Sequence, residues 1–140
     1  METPAQKITV STTINAPVSK VWDYFNLPEH ITQWCFASDD WHAPKSENDL
    51  RVGGAFATTM AAKDGSFSFD FGGVYSQVEN QKLIDYDMAD GRNVKVLFED
   101  HGDSSTLTEV FDAESENPVD MQQQGWQAIL NNFKKYVEAN

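Results

Sequence analysis

Cysteine is almost missing from this chain: Cys35 is the only one. No internal disulfide, CxxC pair or cysteine-based zinc site is available, so an apolar core must hold the fold. Bases are scarce as well, with 10 Lys and Arg against 22 Asp and Glu and a formal net charge of −12. The imbalance is steepest between Lys82 and Asp120, where eleven acids stand against three bases. Nucleic acid and anionic lipid need a basic footprint that releases counterions, so neither is an expected partner. These acids read as solvated strand faces and turns, leaving a basic protein surface or a neutral small molecule open as partners. Long apolar runs are absent too: no stretch approaches the roughly 18 residues of a membrane span, and membrane insertion is not expected. The opening METPAQKITV lacks the basic segment and apolar run of an export signal. The expectation is a monomer in a reducing cytoplasm.

Catalytic signatures are missing in the same way. His30, His42 and His101 have no HExxH spacing, and no GxSxG elbow occurs. Asp39, Asp40 and His42 lie close together in DDWH, but a structural zinc site usually takes four ligands and no cysteine is near enough to help. No catalytic residue, metal or cofactor is expected. Cys35, beside Trp34, reads as packing and not as a reactive thiol.

What is present is a domain's worth of 140 residues, 40% of them hydrophobic, with clear periodicities. Ile8, Val10, Thr12 and Ile14 alternate with polar residues as in a half-buried strand. Pro17 ends it and suits a first helical turn, and Val18, Val21, Trp22 and Phe25 follow at helical spacing. Pro28 starts a second short helix with Ile31 and Trp34 inward. The stretch from Ala37 to Leu50 is polar and irregular, a strand or a loop, with Trp41 as its large apolar anchor. AFATTMAAK, LIDYDM, NVKVLFE and STLTEVF read as strands, separated by turn signals that include Asp64-Gly65 and Asp90-Gly91. Together they predict an antiparallel meander. A long helix from about Pro118 to Glu138 closes the chain, with Asn117 as candidate cap and an apolar face of Val119, Trp126, Ile129, Leu130, Phe133, Tyr136 and Val137.

The stretch GSFSFDFGGVYSQV, Gly65 to Val78, alternates until its glycine pair. Phe67, Phe69 and Phe71 share a face. Unbroken alternation would carry Tyr75 and Gln77 inward with them, whereas a bulge at Gly72-Gly73 would shift the parity and bring Val74 and Val78 to the core. The bulge is the expectation.

The run INAPVSKVWDYFNLPEHITQW, together with FDFGGVY and the terminal GWQAILNNFKKYVE, resembles the START-like SRPBCC proteins. Within them it is most similar to bacterial relatives of the C-terminal domain of the heat-shock protein 90 ATPase activator. The resemblance spans essentially the whole chain and implies a single α+β helix-grip domain over residues 1–140. Such a fold has a curved antiparallel sheet wrapped around the long C-terminal helix, two short helices after the first strand, and a cavity between helix and sheet.

The residues expected to line that cavity are Phe25, Trp34, Trp41, Phe56, Phe69, Phe71, Tyr86, Phe98, Glu109, Phe111, Met121, Gly125, Trp126 and Ile129. Each aromatic alone reads as core, but their number suits a pocket of about a few hundred Å3. Gly125 sits inside the strongest helix, where glycine costs roughly 1 kcal/mol relative to alanine. Either tight packing against a ring such as Trp22 or space kept for a ligand would account for it. In STLTEVF the parity that buries Leu107 and Phe111 also turns Glu109 inward, unless a local irregularity presents Val110 instead or Glu109 lies at a wet mouth.

The leading functional expectation is a carrier or sensor of a small hydrophobic molecule, lipid- or polyketide-like. The resemblance also implies a chaperone-regulating module. The activator's chaperone-binding N-terminal domain has no counterpart in this chain, however, and of its Asn-x-x-Asn-Trp-His-Trp motif only Trp41-His42 is present. A cyclase- or hydrolase-like enzyme using Glu109 is the third alternative.

Overall fold

The computed structural model describes residues 6–115 and 117–140. In chain order the elements are β1 (Lys7–Ile14), α1 (Val18–Asn26), α2 (Pro28–Trp34), β2 (Trp41–Asn48), β3 (Ala55–Ala62), β4 (Ser68–Glu79), β5 (Leu83–Met88), β6 (Asn93–Asp100), β7 (Ser105–Asp112) and α3 (Val119–Ala139). The strands form one antiparallel sheet in the order β1-β7-β6-β5-β4-β3-β2. β2 to β7 are the expected meander, and β1 pairs with β7 at one edge. α1 and α2 thus carry the chain from that edge to the opposite one, where β2 begins. The curled sheet wraps α3, and the α+β helix-grip architecture follows.

The periodicities account for this packing. Ile8, Val10 and Ile14 on β1, Val94, Val96 and Phe98 on β6, and Leu107 and Phe111 on β7 are all buried on the inner face. Against them α3 presents Leu130, Phe133 and Val137, also buried, at the three- and four-residue spacing of one helical face. Each such side chain contributes roughly 1.5–3 kcal/mol of burial. Trp22 and Val21 of α1 close this end of the core, Trp22 meeting Phe98 edge-on with ring centroids 4.9 Å apart. The dense core therefore occupies the β1-β7-β6 side and the C-terminal half of α3. The N-terminal half of α3 faces β3, β4 and β5 across open space.

One open reading is resolved and two sequence expectations change. The irregular stretch after Ala37 contains an edge strand, β2, whose pairing with β3 shifts register between His42 and Lys45. Pro44 lies inside the shift and has no N–H for the ladder, which is why the segment does not read as a strand. The expected bulge at Gly72-Gly73 is not there either, because β3 and β4 pair without interruption from Ala55–Val74 to Ala61–Ser68. The parity does change, but at Ser76, between Tyr75 and Gln77 on β4. Tyr75 consequently faces the interior, Val74 is exposed, and Val78 returns to the inner side.

The glycine pair answers to crowding. A Cβ on Gly72 would stand 2.3 Å from the Phe56 carbonyl oxygen, and one on Gly73 would stand 2.6 Å from that of Asp87. Finally, α3 begins one residue later than expected and no side chain caps it at Pro118. Gln122 secures this end instead, donating to the carbonyls of Asn117 and Glu114 and accepting from the Glu114 N–H at 2.9 Å.

Candidate functional site

Between the N-terminal half of α3 and the β3-β4-β5 side of the sheet lies a cavity of about 500 Å3. Its walls are mostly aromatic and aliphatic. Phe25 and Trp34 from the two short helices stack at 5.3 Å between centroids and form one wall, with the Trp34 indole N–H fixed by the Tyr24 carbonyl at 2.9 Å. Phe56, Phe71 and Tyr86 come from three adjacent strands; the edge of Phe56 meets Tyr86 at 4.7 Å. α3 supplies Trp126, Ile129 and Leu130. Trp126 stands edge-on to Phe71 at 5.7 Å, so the helix and the curled strand touch across the opening.

Polar groups enter at two depths. On one side a chain of hydrogen bonds runs from the Tyr75 hydroxyl to Asn48 Oδ1 (2.5 Å), from Asn48 Nδ2 to the Asn26 carbonyl (2.7 Å), and from Asn26 Nδ2 to the Trp22 carbonyl (2.9 Å). It ties β4, β2 and α1 together. Burial pushes the Tyr75 phenol above its ordinary pKa. On β7, one strand in from the β1 edge, stands Glu109, only 8% exposed, with apolar Val10 and Val96 as its neighbours on β1 and β6. Among the described residues it has no hydrogen-bond or ion-pair partner, and burial pushes its carboxyl up to about 8. Burial, reinforced by the nearby Glu109, also pushes the Cys35 thiol up to about 12 and the Tyr86 phenol well above its usual range. Cys35 is thus a neutral thiol in the wall. The rim carries Asp90, Arg92 and Glu114, and the Arg92 guanidinium is held by Asp90 at 2.7 Å.

Nine of the expected cavity residues border this space: Phe25, Trp34, Phe56, Phe69, Phe71, Tyr86, Glu109, Trp126 and Ile129. Five do not. Phe98 is packed between Trp22 and Phe25. Phe111 is sealed beneath Trp126, ring on ring. Trp41, at the start of the edge strand, meets Phe67 and Phe69 edge-on with ring centroids 6.1 Å apart. Met121 is 59% exposed, because the turn that points Gln122 and Trp126 inward rotates Met121 away. Gly125 shares a face with Gln122 and Ile129, but a Cβ built on it would meet no neighbouring atom within 4 Å. Tight packing does not explain this glycine.

Sequence reasoning missed Tyr75, Asn48 and Asn26. Tyr75 was hidden by the displaced bulge, and the two asparagines belong to a network that joins residues far apart in the chain. Among the described residues, no helix is long and apolar enough to cross a membrane.

A family model described as "Activator of Hsp90 ATPase homolog 1-like protein" matches residues 15–138. The solution structure of an AHSA1-like protein from Aeromonas hydrophila is 45% identical, covers 96% of this chain and 93% of its own, and superposes with a TM-score of 0.90. A Cytophaga hutchinsonii protein, also solved in solution, is 57% identical over 96% of this chain and 93% of its own, with a TM-score of 0.82. A Chromobacterium violaceum protein shares the fold at 22% identity, covering 96% of this chain and 99% of its own with a TM-score of 0.85. No curated protein matches the chain.

Proposed function

The chain belongs to the activator of Hsp90 ATPase homolog 1-like family, and from that membership and the geometry of its interior we propose that it binds a small hydrophobic molecule between the sheet and α3, as a carrier or sensor. The observation that carries this reading is the cavity itself. At about 500 Å3 it falls within the usual range for small-molecule sites, and its walls are aromatic side chains with a few placed polar groups. The packing supports the same reading, since only half of α3 is used for core.

Carriage or sensing needs no chemistry from the walls, and the neutral thiol of Cys35 and the hydrogen-bonded Tyr75-Asn48-Asn26 chain fit a receptor surface. The test is direct. Organic extraction of the purified protein followed by mass spectrometry should release an apolar small molecule in near-stoichiometric amount. Added 1-decanol should change tryptophan emission saturably, because Trp34 and Trp126 border the site. No extracted molecule together with no saturable change would overturn the reading.

A further inference from the structure

Glu109 is not explained by binding of a purely apolar ligand. Its side chain is more than nine-tenths buried, lines the cavity, and has no hydrogen-bond or ion-pair partner among the described residues. A buried carboxyl left in that state is costly, and a core valine or leucine at this parity would serve packing better. β1 and β6 offer Val10 and Val96, β5 offers Tyr86, β4 offers Tyr75, the end of α2 offers Cys35, and α3 offers Trp126, Ile129 and Leu130. Among these described residues there is no cation, and the thiol and phenols are neutral.

Any cation that lets this carboxyl ionise would therefore have to be carried by the ligand. Aromatic faces attract cations through their quadrupole, and the chamber is walled by Phe25, Trp34, Phe56, Phe71, Tyr86 and Trp126. Around the cavity three further carboxylates, Asp70, Asp90 and Glu114, stand against one guanidinium, Arg92, which Asp90 already holds. The net charge of −12 draws cations towards the protein and repels anions. Resting on the binding function above, we propose that the ligand is an apolar amine whose hydrocarbon or aromatic body fills the chamber while its ammonium group pairs with Glu109. The ion pair would be charge-assisted and shielded from water.

This pairing has a proton balance. In the empty cavity at pH 7 the Glu109 carboxyl is mostly protonated, since burial pushes it up to about 8. An aliphatic amine arrives as an ammonium ion. When the two pair, Glu109 gives its proton to solvent, so each amine bound releases close to one proton. An alcohol of the same length releases none.

Isothermal titration calorimetry of the intact protein with 1-decylamine, 1-decanol and decanoate, in two buffers of different ionisation enthalpy at pH 7, tests the proposal. Decylamine is expected to bind about tenfold or more tighter than decanol, with decanoate weakest and release of close to one proton for the amine alone. In Glu109→Gln the ratio of amine to alcohol affinity should fall to within about threefold of one. Should that variant fail to fold, the wild-type ranking decides. Decanol binding as tightly as decylamine, or decanoate binding tightest through Arg92, would each overturn the amine assignment while leaving the apolar site in place. If none of the three binds, the apolar site falls and the amine with it.

Discussion

Trp126 lies flat on Phe111, the ring centroids 3.8 Å apart and the planes within 14° of parallel. This stack is the boundary between the two halves of the interior. Below it Phe111 belongs to the dense core, 1% exposed; above it the other indole face looks into the cavity. One side chain of α3 thus roofs the core and walls the site.

Trp126→Ala should therefore both destabilise and open the molecule. Removing a fully buried large aromatic costs about 3–5 kcal/mol, and because Trp126 is only partly buried a loss of about 2–3 kcal/mol is expected. Urea unfolding gives the number. Trp126→Phe, which keeps a ring over Phe111, should recover more than half of it; equal losses in both variants would mean that the stack contributes little.

Gly72 and Gly73 make a contrasting case. With carbonyl oxygens 2.3 and 2.6 Å from the positions their Cβ atoms would take, neither site accepts a methyl group without moving a neighbouring strand. Each Gly→Ala change should cost about 1–3 kcal/mol, as overpacking does. Near-neutral substitution at both would show that the strands can part, and that the curl of β4 is soft.

These glycines also mark how far the sequence could be read. Alternation and helical spacing placed β1, β5, β6, β7 and the three helices nearly to the residue, since each periodicity reports a face turned towards one core. The family resemblance supplied the wrapped arrangement. The β3-β4 side was less legible: a bulge is paid for by two strands at once, and nothing in GGVYSQV distinguishes crowding at Gly72 from an extra residue at Ser76. Glu109 was visible from strand parity alone. Asn26 and Asn48 were not, because a hydrogen bond between residues 22 apart leaves no local pattern.

Asn48 joins the Tyr75 hydroxyl to the Asn26 carbonyl. Asn48→Ala would leave a part-buried phenol and a carbonyl each short of a partner, at about 1–3 kcal/mol. Asn48→Asp keeps the acceptor for Tyr75 but removes the donor to Asn26 and adds a charge, so it should rescue little. Thermal unfolding of the two variants, with Tyr75→Phe as the paired control, separates the hydroxyl's share. If Asn48→Ala costs no more than Tyr75→Phe, the link to Asn26 carries no stability.

The pH dependence of stability should bear the mark of Glu109. Its folded pKa of about 8 lies above the ordinary 4.5, so between those values the folded state holds more protons than the unfolded state. Stability then falls as pH rises, by at most about 1.4 kcal/mol per pH unit, and the Glu109 share of the fall is complete above about pH 8; Cys35, raised from 9.0, and the buried phenols extend it only in more alkaline solution. Asp64, Asp90 and Asp112 are lowered from 3.8 and contribute the opposite slope only in more acid solution, outside this window. Urea midpoints at pH 5.5 and pH 8.5 should differ in the wild type and nearly coincide in Glu109→Gln. A wild type equally stable at both would place Glu109 in contact with water.

Gly125 offers the sharpest separation of stability from binding, because its two explanations predict opposite signs. Glycine inside a helix costs up to about 1 kcal/mol relative to alanine, and a Cβ at this position meets no neighbouring atom within 4 Å. Gly125→Ala should then raise stability by about 0.5–1 kcal/mol, the gain coming from helix propensity alone. Gly125→Leu gains similarly in propensity but extends its side chain along the face shared by Gln122 and Ile129, both of which border the cavity. Its stability should stay at or above wild type while 1-decanol binding weakens about tenfold or more, as expected when a side chain occupies space meant for a ligand. Were the glycine a packing contact instead, both variants would lose stability in order of size, by about 1–3 kcal/mol. Denaturation and titration on the same two proteins distinguish the cases: a stable leucine variant that binds decanol normally would show that the space beside Gly125 takes no part in binding.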